Sequence, residues 1–210
     1  MSTYNFFATI SRMKYIERWA LMRSSRAEDL SEHSLEVAMI AHALCTIGNV
    51  RYGRNLDADR AAVTGLFHDA SEIITGDMPT PVKYYNKDIL SAYKDVEKTA
   101  KERLLSELPG DLRPAYEKIL DDEPGEGKDD SEIYMLRLVK AADKLSALIK
   151  CIEEEKAGNT EFRTARQSTM KALEKIREQY PEVADFMDEF LPPYGSTLDE
   201  LLSQEEENGR

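Results

Sequence analysis

Three histidines occur in the 210 residues, at positions 33, 42 and 68, and His68 is followed directly by Asp69. Imidazole nitrogen and carboxylate oxygen together suit one divalent transition metal ion, Mn, Fe, Co, Ni, Cu or Zn, and affinity alone does not choose among them. On a helix, adjacent side chains stand about 100° apart, so His68 and Asp69 can both reach an ion lying beyond that edge. A His–Asp dipeptide also arises as a simple helix surface contact, so more is needed. Asp143 supplies it: Leu136, Val139, Asp143 and Ala147 follow one another at helical spacings on one face, which sets a carboxylate on an apolar stripe. A buried carboxylate is costly unless a cation lies opposite it, either a metal or an Arg or Lys. His33 has the same placement, sharing the apolar side of its helix with Val37, Ile40 and Leu44. His42 lies nine positions further on, about 180° round the helix, and reads as a hydrogen-bonded core or helix-contact residue. The candidate ligands are His33, His68, Asp69 and Asp143.

The elements that must carry these residues are helices. Gly and Pro are sparse within long periodic segments, no stretch alternates strictly, and Ala, Leu, Glu and Lys dominate, which predicts an all-α chain. A first helix is expected over 5–19. A second runs from a Ser31 N-cap to a stop at Gly48 and Asn49, apolar nearly all round, as befits the centre of a bundle. A third opens after Asp57 and continues to Thr75, where Gly76 and Asp77 break it. Pro79 and Pro81 then enforce a loop. Further helices are expected over about 87–108, 132–157, 161–179 and 182–190, with a solvated loop at 121–130 and a polar, frayed tail over 204–210. The whole, residues 1–210, reads as a single domain with its core over about 5–198.

Composition narrows the partners. Asp and Glu number 40 against 28 Lys and Arg, a formal net charge of −12; such a surface repels a nucleic-acid polymer. A small phosphate ester remains compatible, because a metal and a few local cations outweigh diffuse distant charge. Residues 1–14 lack a signal-peptide layout, and no stretch is apolar enough to span a membrane. Cys45 and Cys151 fall in segments that read as buried helix, which fits reduced thiols in a cytoplasmic protein.

The motifs resemble a known family. Ser31-Glu32-His33-Ser34, Phe67-His68-Asp69-Ala70-Ser71-Glu72 and Lys140-Ala141-Ala142-Asp143 match the H…HD…D signature of HD-domain metal-dependent phosphohydrolases. Arg18-Trp19 and the block Thr75-Gly76-Asp77-Met78-Pro79-Thr80-Pro81-Val82-Lys83-Tyr84 resemble, more narrowly, the bacterial 5'-deoxynucleotidases. The resemblance implies a compact HD-domain helical bundle, a homodimer, and hydrolysis of deoxyribonucleoside 5'-monophosphates. It also implies that Glu72 is catalytic, the proton-transfer residue that orients or activates the water or assists the leaving oxygen. Arg18 stands in a segment, 11–26, whose local net charge is +4, and its guanidinium is suited to bind the phosphate and stabilise the transition state. Trp19, whose ordinary reading is core packing, is placed by the resemblance against the sugar, excluding a 2'-hydroxyl. Asp77 would accept from the 3'-hydroxyl, and Met78, Pro79 and Thr80 would line the same pocket with broad base tolerance. Two alternatives stand beside this: another HD hydrolase, acting on a nucleoside triphosphate, cyclic nucleotide or guanosine alarmone, and a non-catalytic module that keeps a structural metal.

Overall fold

A computed structural model describes residues 3–83, 85–125 and 127–207, with the side chains of Thr80 and of residues 204–207 outside that description. In chain order the helices are α1 (Phe6–Ile10), α2 (Leu30–Tyr52), α3 (Ala58–Phe67), α4 (Glu72–Thr75), α5 (Thr80–Lys83), α6 (Lys87–Ser106), α7 (Arg113–Leu120), α8 (Asp130–Lys156), α9 (Arg163–Arg177), α10 (Pro181–Asp185) and α11 (Leu198–Glu207). Two short strands, β1 (Glu17–Arg18) and β2 (Glu28–Asp29), pair antiparallel between α1 and α2. The expected all-α class holds with that one small addition. Among the described residues, no helix is long and apolar enough to cross a membrane.

α2 is the central element, as its apolar composition predicts, and packs chiefly against α3 and α8. Its buried face, including Val37, Ile40, Ala41 and Leu44, meets Leu145, Leu148 and Ile149 of α8 in the main core. The helix is longer at both ends than its sequence suggested. Asp29, not Ser31, is the N-cap: its carboxylate accepts from the Ser31 N–H at 2.8 Å and the Glu32 N–H at 3.0 Å. Glu32 answers by accepting from the Asp29 N–H, completing a capping box. At the other end the helix runs through Gly48 and Asn49 to Gly53, whose left-handed φ of 64° closes it.

Other boundaries also move. The expected first helix stops at Ile10 and gives way to a 3-10 turn over Ser11–Tyr15 and then to β1. The expected third helix breaks after Phe67, so His68 and Asp69 lie in a turn, with Glu72 opening α4. The expected loop holds over 76–79, including Pro79, but ends at Thr80: Pro81 is well accommodated in a helix's first turn, and α5 begins there. α7 was not anticipated, and α11 carries helix into the tail as far as Glu207, the remaining three tail residues lying outside the description. A second core cluster, Phe6, Ala70, Leu104, Leu105, Leu108 and Leu120, sits on the other side of the His68–Asp69 turn. Ala70 thereby anchors that turn.

α3 approaches α2 closely because residue 65 is glycine. A Cβ there would lie 2.8 Å from the Ala38 Cα and 2.9 Å from its nitrogen. Gly65→Ala therefore forces the two helices apart, and an overpacking cost of about 1–3 kcal/mol is expected, read as a lowered thermal midpoint. An unchanged midpoint would show that the contact yields freely.

Candidate metal centre and substrate cleft

His33 leaves the first turn of α2, His68 and Asp69 leave the turn after α3, and Asp143 leaves the middle of α8. Their side chains converge. The ligand atoms of His33, His68 and Asp143 all lie within 4.8 Å of one another. Asp143 Oδ1 is 3.2 Å from His33 Nε2, and Asp69 Oδ2 is 3.7 Å from His33 Nε2 and 3.0 Å from His68 Nε2. Both Nε2 atoms are buried, and neither makes a hydrogen bond to a described residue.

The outer nitrogens explain which way the imidazoles are set. His68 Nδ1 lies 2.7 Å from the Gly65 carbonyl oxygen. A carbonyl can only accept, so Nδ1 carries the hydrogen and Nε2 turns a lone pair inward. His33 Nδ1 lies 2.9 Å from Ser146 Oγ, and that hydroxyl donates to Glu36 Oε2 at 2.5 Å. With its proton committed to Glu36, Ser146 must accept from His33, which fixes the same tautomer. Two buried inward-facing imidazole nitrogens and two carboxylates around one point are a donor set that fits a divalent transition metal, which would take the place of any proton on those nitrogens.

The local electrostatics call for positive charge. Burial alone would depress the His68 pKa, yet the Asp69 and Asp143 carboxylates outweigh it and lift it to about 9. Burial works against Asp69 also, but His68 beside it holds it at about 2. Asp143 is likewise held well below the usual carboxylate range, mainly by His33 and His68 against the cost of burial. Burial and the Arg18 charge push His33 down, toward the neutral form that a metal ligand needs.

Glu72 lies beside this centre, buried, with Oε2 lacking a hydrogen bond to any described residue. Burial, then Asp69 and Asp77, push its pKa up to about 9. Arg18 is nearly buried; desolvation opposes its charge, but Glu28, Asp143, Asp69 and Asp77 raise its pKa above the ordinary value. The other cations of its segment, Arg12, Lys14, Arg23 and Arg26, are exposed, as a solvated face requires. Trp19 is half-buried against Phe162, with ring centroids 5.4 Å apart. It takes φ 59°, a left-handed conformation that costs a bulky residue about 1–3 kcal/mol. Asp77 Oδ2 accepts from the Trp19 backbone N–H at 3.4 Å. The chain reaches Asp77 through Gly76, whose φ of 72° ends α4 with a sharp turn. Met78 and Pro79 follow, half-buried; the Thr80 side chain lies outside the described residues.

The structure thus brings Arg18, Trp19, Asp69, Glu72, Asp77 and Asp143 into one neighbourhood. His42 is not in it: half-exposed, it faces Asp59 at 3.7 Å and Thr46 at 3.5 Å, a helix contact and not a core residue. Sequence reading did not find Ser146, Glu36 or Glu28. Ser146 and Glu36 each follow a ligand by three positions, the spacing that keeps them on its helix face. Glu28 carried no comparable signal.

Comparison with known proteins agrees with this geometry. A family model described as 5'-deoxynucleotidase YfbR-like matches residues 5–194. The chain is 47% identical over 201 residues to a 5'-deoxynucleotidase of Erwinia tasmaniensis, covering 96% of this chain and 97% of the relative. It is 45% identical, with the same coverage, to the 5'-deoxynucleotidase YfbR of Escherichia coli. Among solved structures, an HD-domain phosphohydrolase from Listeria innocua superposes with a TM-score of 0.76 at 24% identity, over 97% of this chain and 98% of that one. The cyanophage S-2L HD phosphohydrolase DatZ, bound to dA and one catalytic Zn2+ ion, superposes at 0.59 and 17% identity, over 96% and 94%. These two likenesses place the bundle among HD-domain folds.

The hydrogen-bond chain behind His33 orients an imidazole that could hold a metal, so its loss is expected to weaken ion binding. Ser146→Ala should weaken divalent-metal affinity by about 10–100-fold in a chelator competition, with the helical signal intact. Equal affinity in the variant would mean that the relay does not orient the imidazole.

Proposed function

The chain belongs to the YfbR-like 5'-deoxynucleotidase family, and from that premise we propose that it is a metal-dependent hydrolase of deoxyribonucleoside 5'-monophosphates, releasing deoxyribonucleoside and phosphate. The observation that carries this reading is the convergence of two buried imidazole nitrogens on two carboxylates, next to a buried Glu72 and Arg18. His33, His68, Asp69 and Asp143 would hold one divalent transition metal ion. Bound there, such an ion supplies Lewis-acid stabilisation to a phosphoryl oxygen and acidifies a water.

The remaining work falls to the protein's own groups. A water oxygen bonds to phosphorus as the bond from phosphorus to the 5'-oxygen breaks, and that oxygen leaves with a proton. Glu72, buried beside the centre with one carboxyl oxygen free of hydrogen bonds to described residues, is the residue that orients the water or holds or moves this proton. Arg18 orients the phosphate and stabilises the charge that builds on it. Trp19 closes off the space beside C2', so that a ribose hydroxyl is excluded, while Asp77 accepts from the 3'-hydroxyl. Their shared hydrogen bond sets these two groups as one wall. Met78, Pro79 and Thr80 continue that wall toward the base without reading a particular one, which gives broad base tolerance. The two buried free thiols, Cys45 and Cys151, fit a cytoplasmic protein.

A phosphate-release screen of metal-loaded protein tests the assignment. Deoxyribonucleoside 5'-monophosphates should exceed ribonucleotides, 3'-monophosphates, triphosphates and cyclic nucleotides; preference for a triphosphate or a diester would sink it. In the same assay Glu72→Ala should keep its metal and lose at least about 100-fold in turnover, Asp143→Ala should lose the metal, and Trp19→Ala should relax the preference for deoxyribose.

Pairing of two copies is part of the proposal. The outward face of α2 exposes Leu35, Met39 and Val50, and the adjoining edge of α3 exposes Val63 and Leu66. An apolar surface of this kind suits a self-complementary contact. Sedimentation equilibrium should give twice the chain mass, and Met39→Glu should halve it; a wild-type monomer at micromolar concentration would count against pairing.

A further inference from the structure

Side chains of adjacent residues on an extended strand point to opposite faces. Those of Arg18 and Trp19 nonetheless meet at one atom. Arg18 pairs across the two-stranded ladder with Glu28, and its Nη1 donates to Glu28 Oε2 at 2.9 Å. The left-handed φ of Trp19 then swings the indole back, and its Nε1–H donates to the same Oε2 at 3.1 Å. Glu28 and Arg18 are both nearly buried, with side-chain exposures of 13% and 11%. This is therefore not an exposed ion pair of the kind that contributes little. The Arg18 Nε is buried with no hydrogen bond to a described residue, so Glu28 engages the guanidinium through Nη1 and leaves Nε uncommitted.

The backbone of Glu28 has anchors other than these two partners. β2 leads directly into α2 through the Asp29 cap, which sets Glu28 five residues before His33. The loop before β2 is tied to α8, where buried Glu154 accepts from the Ser25 N–H at 2.8 Å and the Arg26 N–H at 3.4 Å. Lys150 donates to the Arg26 carbonyl at 2.6 Å and to Glu154 at 2.6 Å. The backbone that carries Glu28 is thus held from both sides of the sequence by the helices that carry His33 and Asp143.

We propose that Glu28 is a positioning residue that couples phosphate recognition to sugar discrimination. One of its oxygens fixes the Arg18 guanidinium and the Trp19 indole relative to each other, and through β2 and α2 it fixes both relative to His33. The inference rests on the roles given above to Arg18 and Trp19. A bulky residue persists in a left-handed conformation only where its surroundings over-determine it; Glu28, Asp77 and Phe162 hold this one, together with the Met22 N–H that donates to its carbonyl at 2.7 Å and the Arg18 guanidinium 5.8 Å from its ring centre.

The test measures kcat/KM for a deoxyribonucleoside 5'-monophosphate and its ribo counterpart, with metal content and the emission of Trp19, the only tryptophan in the chain, as readouts independent of turnover. Glu28→Ala should lower the deoxy-to-ribo ratio about tenfold and shift the indole emission to the red, with metal content unchanged. Glu28→Gln retains an oxygen that accepts from both donors, so its ratio should stay within about twofold of wild type. An unchanged ratio in Glu28→Ala overturns the proposal. So does an equal loss in Glu28→Gln, which would mean that charge compensation and not positioning is at work. Should Glu28→Ala fail to fold, Trp19→Phe decides, because it keeps a large ring and removes the donor to Glu28: a lowered ratio supports the coupling and a wild-type ratio overturns it. Trp19→Ala separates the two levels. If it leaves the ratio intact, the sugar-reading role of Trp19 fails and takes this inference with it; if it relaxes the ratio while Glu28→Ala does not, only the coupling fails.

Discussion

Two carboxylates and two imidazoles can share one buried point only if positive charge lies among them. In this protein the demand is visible in the protonation of the groups themselves: His68 is lifted to about 9 while Asp69 is held at about 2 and Asp143 is held ionised. The architecture serves that convergence. α2, α3 and α8 must cross closely enough to bring one ligand from α2, two from the turn after α3 and one from α8 together, and the missing side chain at Gly65 permits it. Ala70, buried in the second cluster, holds the intervening turn from behind.

Around this centre lies a layer of acceptors, each of which settles the orientation of a group that faces inward. The Gly65 carbonyl sets His68, Ser146 and Glu36 set His33, and Glu28 receives both Arg18 and Trp19. Three of these are acidic side chains or act through one, so part of the net charge of −12 is concentrated where it orients cations and donors. Groups held in this way enter the reaction already aligned, and little reorganisation remains for the chemical step.

Glu72 and Asp77 show how burial divides similar side chains between roles. Glu72 is pushed to about 9 by burial and by its acidic neighbours, which suits a group that handles a proton. Asp77 is also raised by burial, but Arg18 and the Trp19 N–H draw it back, leaving a carboxylate suited to accept from a hydroxyl. Neither difference is encoded by residue type.

The amino-acid sequence by itself determined the helical class and the central place of α2, and it singled out His33, His68, Asp69 and Asp143 as candidate ligands, because these follow from periodicity and from polar groups set on apolar faces. The Gly76 to Thr80 block and the Arg18-Trp19 pair carried the family, which residue spacing alone does not resolve. Tertiary structure decided the rest. The break after Phe67, the small ladder of β1 and β2, and α7 and α5 depend on long-range packing that overrides local pattern and the usual meaning of Pro. The roles of Glu28, Ser146 and Glu36 depend on contacts between residues 10 to 113 positions apart, or on a left-handed turn at Trp19 that no propensity predicts. A serine or a glutamate is an ordinary helix or strand residue until another segment places a donor within hydrogen-bond reach of it, and only the folded chain does that.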